Sequence, residues 1–240
     1  MGAVCVHGFT GSPYEMRFLG GELARAGIAA RGLVLPGHTT SLTELDRTRW
    51  QDWAGAVERE VDTMRERHRR VALVGQSLGG LLALHAAAHR PDVACVASLA
   101  APLWLDGLGG KLARLLQGPA GDRVRALVPR LPKLGGSDVR DRRARAENPS
   151  YRAIPTRALG ELLAFMRVVD AELAAVTPPV LVIHAEHDHT APVACAARIA
   201  ERTRAEAVHI LPRSFHLIAI DVERELVAAE VIRFIRRHAS

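Results

Sequence analysis

The chain has 240 residues, 48% of them hydrophobic, 24% charged and 4% aromatic, so it is long enough to bury a full core as one large domain built mainly from Leu, Val, Ala and Ile. No stretch of about 18 uncharged apolar residues occurs, and the amino terminus lacks a basic segment leading into an apolar one with a cleavage site; a cytoplasmic protein without stable membrane anchoring is expected. The net charge of +6 rests almost entirely on arginine, which reads as coding bias, and residues 103–152 alone hold eleven Lys and Arg against five Asp and Glu; without aromatics interleaved among these arginines no nucleic-acid surface is expected, and the basic segment reads as a solvated face or as an attraction for anionic substrate or lipid surfaces.

Ala3 to His7 reads as a short buried strand broken by His7-Gly8-Phe9-Thr10-Gly11. Ser12 and Pro13 suit the N-cap and first position of a helix that Gly27 ends. Ile28 to Leu33 is the next strand, and the loop after it carries Pro36-Gly37-His38. Trp50, Trp53, Val57 and Val61 recur at helical spacing. Val71 to Leu82, VALVGQSLGGLL, reads as strand, sharp turn and helix. Its Gly75-Gln76-Ser77-Leu78-Gly79 fits the G-x-S-x-G elbow, which exposes a serine hydroxyl at a strand's carboxyl end while glycines keep side chains out of the crowded turn.

A strand over Val93 to Ala100 follows, and then the alternation stops. Residues 103–152 hold short helical pieces such as Leu112–Leu116 and Val124–Val128, split by glycines and prolines; so long an interruption suits a lid over a site. Core segments are therefore expected at 1–102 and 153–240, with 103–152 as a cap insertion. Order returns with a helix from about Thr156 to Val176, a strand from Val180 to Ala185, a helix from Ala191 to Arg204, a strand from Ala207 to Leu211 and a last helix from about Asp221 to His238. Six strands alternating with helices imply an α/β fold with a mostly parallel sheet covered on both faces, and sites in such sheets gather at the strands' carboxyl ends. Cys5, Cys95 and Cys195 are far apart in apolar settings, which suits buried free thiols rather than a disulfide framework.

A serine alcohol needs a base to take its proton and a carboxylate to orient that base, and the elbow type places them in the order Ser, acid, His. After Ser77 the best-placed acid is Asp188, with Glu186 its nearest rival and Asp170 a weaker one; the best-placed base is His216, in the loop Ser214-Phe215-His216. His184, His187 and His189 can also be read as a metal set, but their spacing is not that of a helical H-E-x-x-H, so no metal is assigned. His209, inside a strand, reads as an edge or core histidine.

The motifs His7-Gly8-Phe9-Thr10-Gly11, Gly75-Gln76-Ser77-Leu78-Gly79-Gly80, His184 to Asp188, Ser214-Phe215-His216 and Asp221 span nearly the whole chain. With them it resembles the α/β-hydrolases, and closely the bacterial carboxylesterase and monoacylglycerol lipase family. The resemblance implies Ser77 as nucleophile, His216 as general base and acid, Asp188 as orienting carboxylate, and the backbone amides of Phe9 and Leu78 as the oxyanion hole. It also implies an apolar acyl-pocket wall at Phe9, a helical cap at 103–152, and a structural role for His7 in the oxyanion loop. Trp104 and Leu217 are further candidate substrate contacts.

The expected activity is hydrolysis of short- to medium-chain acyl esters or monoacylglycerols through an acyl-enzyme, without cofactor, by a monomer or homodimer. Thioesters, lactones and amides are open to the same constellation, and a ligand sensor with a retained triad is the rival outside enzymes. The family's sheet usually has two strands before the His-Gly strand. Here that strand begins at about residue 3, which implies either a six-stranded sheet or a gene start upstream of Met1.

Overall fold

The computed structural model describes residues 1–106, 110, 115, 118, 121–133 and 136–239. Strand β1 (Gly2–Val6), β2 (Ala29–Leu33), β3 (Val71–Gln76), β4 (Cys95–Leu99), β7 (Val180–Ala185) and β8 (Ala207–Leu211) form one six-stranded sheet in the order β2-β1-β3-β4-β7-β8. Every pairing is parallel. Two more strands, β5 (Arg130–Pro132) and β6 (Ala153–Pro155), make a separate antiparallel ribbon.

The inner strands read as continuous apolar runs because both of their faces are covered. Along β1, Ala3 and Cys5 join one buried cluster while Val4 and Val6 join the other; along β3, Ala72 and Val74 alternate likewise with Val71 and Leu73. The first cluster is closed by α1 (Tyr14–Arg25) and the carboxyl-terminal helix α9 (Arg224–Arg237), through Leu19, Leu23, Val231 and Phe234. The second is closed by α3 (Trp50–Arg65), α4 (Leu78–His89), α7 (Thr156–Glu172) and α8 (Ala194–Thr203), with Trp53 and Phe165 among its largest buried side chains. The elbow helix α4 lies so deep that nearly its whole surface is apolar rather than one stripe.

Some boundaries differ from the sequence reading, each for a local reason. Helix α1 begins at Tyr14, one residue later than a Pro13 start, although Ser12 Oγ does accept the Tyr14 amide at 3.3 Å. A short helix α2 (Leu42–Arg47), whose Ser41 Oγ caps Glu44 N at 3.1 Å, was not anticipated from periodicity. Helix α9 begins at Arg224 rather than near Asp221, because the buried Asp221 carboxylate is occupied by amides of other segments.

Within the insertion, α5 (Gly121–Leu127) covers much of the expected Val124–Val128 piece, and α6 (Arg142–Glu147) is capped by Asp141. The Leu112–Leu116 piece lies outside the described residues apart from Leu115. The expected boundary at 152 falls one residue before β6, the strand that pairs with β5. The three cysteines are buried and unpaired, and burial pushes their thiols up, to about 12 for Cys5 and Cys95 and about 11 for Cys195. Among the described residues, no helix is long and apolar enough to cross a membrane.

Candidate active site

Parallel register brings the first site segment to the second. Val6 pairs with Gly75, so the chain leaving β1 through His7, Gly8 and Phe9 runs beside Gln76, Ser77 and Leu78 leaving β3. The turn at Ser77 is sharp enough to force its backbone to φ 56° and ψ −116°, a region that disfavours any side-chain-bearing residue. Two glycines make that turn possible. A Cβ on Gly75 would stand 1.9 Å from the Gly79 carbonyl oxygen, and one on Gly79 would stand 2.1 Å from that of Val6.

Ser77 Oγ lies 2.8 Å from His216 Nε2, and His216 Nδ1 lies 2.7 Å from Asp188 Oδ2. Ser77, Asp188 and His216, drawn from the ends of three strands, thus form one connected chain. Asp188 is itself immobilised: Oδ1 accepts the amides of Thr190 at 2.8 Å and Ala191 at 2.7 Å, and His184 Nε2 stands 3.3 Å from Oδ2. Burial pushes the Asp188 carboxyl up, but the charge of His216 and the bonds from His184 and His216 outweigh it and hold the group well below the usual carboxylate range. Burial likewise depresses His216, yet the facing Asp188 carboxylate more than offsets this and leaves the imidazole above its ordinary value. The rival carboxylate Glu186 is exposed at the surface, and Asp170 is taken up by Arg198 at 2.5 Å.

The His216 loop is tied to the elbow by Gln76. Its Nε2 donates to the His216 carbonyl at 3.0 Å, and its Oε1 accepts the Ala219 amide at 3.2 Å. Asp221 ties the same loop to the insertion, accepting the amides of Phe215 at 2.7 Å and of Arg140 and Asp141 at 2.9 Å. Leu78 opens α4, so its amide is one of the helix's orphan donors; neither it nor the Phe9 amide has a protein acceptor among the described residues. The amides flanking Phe9 are both taken. Gly8 N donates to Glu15 Oε2 at 2.9 Å, and Thr10 N donates to His38 Nε2 at 3.1 Å. His7 Nε2 accepts the Leu35 amide at 3.2 Å, which fixes the loop bearing His38. Burial holds both imidazoles neutral, His7 at about 3 and His38 at about 4.

Glu15 and His38 escape a reading of motifs alone. Glu15 left one signal, a charged residue four before Leu19 on the buried stripe of α1; His38 left none beyond its place in a Pro-Gly loop. Burial raises the Glu15 carboxyl, with the Gly8 amide and Lys133 opposing that rise.

A cavity of about 590 Å³ opens above Ser77 and His216. One wall is apolar, formed by Phe9, Leu131, Ile154, Leu159, Leu162 and Met166. Glu15, Lys133, Asp138 and Thr190 add polar groups, and burial lowers the Lys133 ammonium. Leu217 and Phe9 border this space, whereas Trp104 does not: it lies partly at the surface, its carbonyl meets Cys195 Sγ at 3.8 Å, and Leu105 faces the cavity instead. His184, His187 and His189 do not converge. His184 is buried against the Ala191 carbonyl, His189 Nδ1 meets Asp138 at 2.8 Å, and His187 is exposed.

This arrangement can raise a hydroxyl to a nucleophile, move its proton through an imidazole, and offer two free amides to developing negative charge. Over 248 aligned residues the chain is 28% identical to a thermostable monoacylglycerol lipase of Bacillus sp. (strain H-257), covering 100% of this chain and 92% of that one. It is 24% identical to a carboxylesterase of Bacillus subtilis (strain 168), over 97% of this chain and 91% of the relative. The solved structure of LipS and LipT, two metagenome-derived lipolytic enzymes, superposes with a TM-score of 0.88 at 29% identity, over 99% of this chain and 94% of that one. A monoacylglycerol lipase from Paleococcus ferrophilus shares the fold, with a TM-score of 0.81 at 18% identity over 99% of this chain and 94% of its own. A family profile described as serine aminopeptidase, S33, matches residues 3–223, and the chain belongs to that family of α/β-hydrolases.

Proposed function

We propose that the protein is a serine carboxylic-ester hydrolase working through an acyl-enzyme on short- to medium-chain acyl esters or monoacylglycerols. The observation that carries this reading is the continuous path from Ser77 Oγ through His216 to Asp188 at 2.8 and 2.7 Å, opening into a cavity with an apolar wall. The relatives' activities on lipid and carboxylic esters support the same reaction class.

Ser77 Oγ attacks the ester carbonyl while its proton passes to His216 Nε2. Asp188 holds the ring in the tautomer that receives it and stabilises the imidazolium. The tetrahedral oxyanion rests on the Phe9 and Leu78 amides, which have no protein acceptor among the described residues. Collapse breaks the bond to the alcohol, which leaves with the proton from His216. Water then enters, gives its proton to His216 and releases the acid by the reverse sequence. Phe9 and Leu217 border the substrate, and the insertion 103–152 serves as the cap, supplying Leu131 to the acyl wall beside Ile154 of the paired strand β6. The three buried free thiols suit a cytoplasmic enzyme.

Hydrolysis of p-nitrophenyl esters from two to sixteen carbons, beside monoacylglycerols and an aminoacyl anilide, tests the proposal. Ser77→Ala is expected to fold normally and lose ester turnover by at least about a thousandfold. Retained turnover in that variant, or preference for the anilide over every ester, overturns it.

A further inference from the structure

We propose that His85, His89 and Glu172 form a binding site for one divalent transition-metal ion of the zinc class, where the elbow helix meets the helix that follows the cap. His85 and His89 stand four residues apart on α4 and so share a face, and Glu172 is the last residue of α7. Nδ1 of His85 is 2.7 Å from Glu172 Oε2, and Nε2 of His89 is 3.6 Å from Glu172 Oε1. One ligand atom from each residue falls within 4.8 Å of the other two. Ligands about 2.0–2.1 Å from a tetrahedral zinc stand roughly 3.3–3.4 Å from one another, so small side-chain rotations bring these three to that spacing.

The hydrogen bonding of the cluster orients its ligand atoms. His89 Nδ1 donates to the His85 carbonyl at 2.9 Å, which turns Nε2 toward the Glu172 carboxylate, 3.6 Å away. The His85 carbonyl thereby plays the part of an outer partner that orients a ligating imidazole. To ligate through Nδ1 the neutral His85 ring carries its single proton on Nε2, so the Nδ1 lone pair is free for the ion. Two imidazoles and one carboxylate select zinc, copper, nickel or cobalt over magnesium and calcium, and water completes the coordination. Trp50 closes one side, its ring 5.7 Å from that of His85 and stacked at 5.1 Å on Phe165. The half-exposed His89 leaves the other side open for entry.

The ion would stand at the far end of α4 from Leu78, roughly 16 Å along a helix of that length, and takes no part in the reaction. Its effect is mechanical. It joins α4 to α7, whose Leu159, Leu162 and Met166 line the cavity.

The test is calorimetric titration of chelator-stripped protein with zinc chloride. One zinc per chain at micromolar Kd or tighter is expected, weakened at least tenfold in His89→Ala and in Glu172→Gln and unchanged in the control His187→Ala. Zinc at about a hundred times the wild-type Kd should raise the wild-type Tm by roughly 5 °C and the two ligand variants by no more than about half as much. His89 is at the surface, and circular dichroism of its alanine variant verifies folding. Absence of stoichiometric zinc binding, or an unchanged Kd in His89→Ala, overturns the proposal.

Discussion

His216 Nδ1 meets Asp188 Oδ2 at 2.7 Å across 28 residues of sequence, and the other carboxylate oxygen is held by the Thr190 and Ala191 amides. The carboxylate is therefore fixed before the imidazole binds it. Asp188→Asn keeps much of this scaffold but presents an amide to the ring, favouring the wrong tautomer, and should cut kcat by about 10³–10⁴-fold. Glu186→Gln, at an exposed position two residues away, should change kcat less than about twofold. Parallel steady-state kinetics decide the matter, and equal losses would remove Asp188 from its proposed role.

The same carboxylate sets the pH dependence. Only unprotonated His216 can accept the serine proton, and its imidazole sits above the ordinary 6.5 because Asp188 favours the charged form. The specificity constant for a neutral ester should thus climb with pH through a midpoint above 6.5. In Asp188→Asn the residual activity should titrate at lower pH. A midpoint that does not move in the variant would contradict the coupling.

Stability should carry a separate signature from His38, held at about 4 against 6.5 because burial disfavours its imidazolium. On acidification the unfolded chain takes up this proton first, so the stability is complete above pH 6.5 and is lost as pH falls towards about 4. His38→Gln can still accept the Thr10 amide through its side-chain oxygen and does not titrate. Between pH 7 and 5, urea unfolding of the wild type should lose about 2 kcal/mol more than that of the variant. Parallel losses would mean that His38 is protonated in the folded protein.

Glycines at the elbow and on α1 should respond in opposite directions. A methyl group at Gly75 collides with the Gly79 carbonyl, backbone that cannot yield without moving Ser77, so Gly75→Ala should cost at least about 3 kcal/mol or prevent folding. At Gly20 the nearest atom to an added Cβ is 4.0 Å away, and Gly20→Ala should stabilise the helix by about 0.5–1 kcal/mol. Denaturant midpoints of the two variants test both statements.

Much of this architecture is legible in the chain itself because its causes are local. Buried parallel strands announce themselves as unbroken apolar runs, and the elbow requires glycines at Gly75 and Gly79 because the turn has no room for a Cβ. Ser77, Asp188 and His216 each follow such a strand, so strand order and turn chemistry suffice to nominate them. Tertiary structure decided what depends on direction and distance. It put Leu105 rather than Trp104 at the cavity, paired β5 with β6 across an irregular segment, and turned Asp221 from a helix start into a clasp between the Arg140–Asp141 backbone and the His216 loop. It also placed Glu15 and His38 on the two amides beside Phe9, from positions 7 and 28 residues along the chain from the amides they hold. No local pattern encodes such contacts, since a side chain's partner in an irregular segment is chosen by whichever distant backbone group the packed sheet leaves within reach.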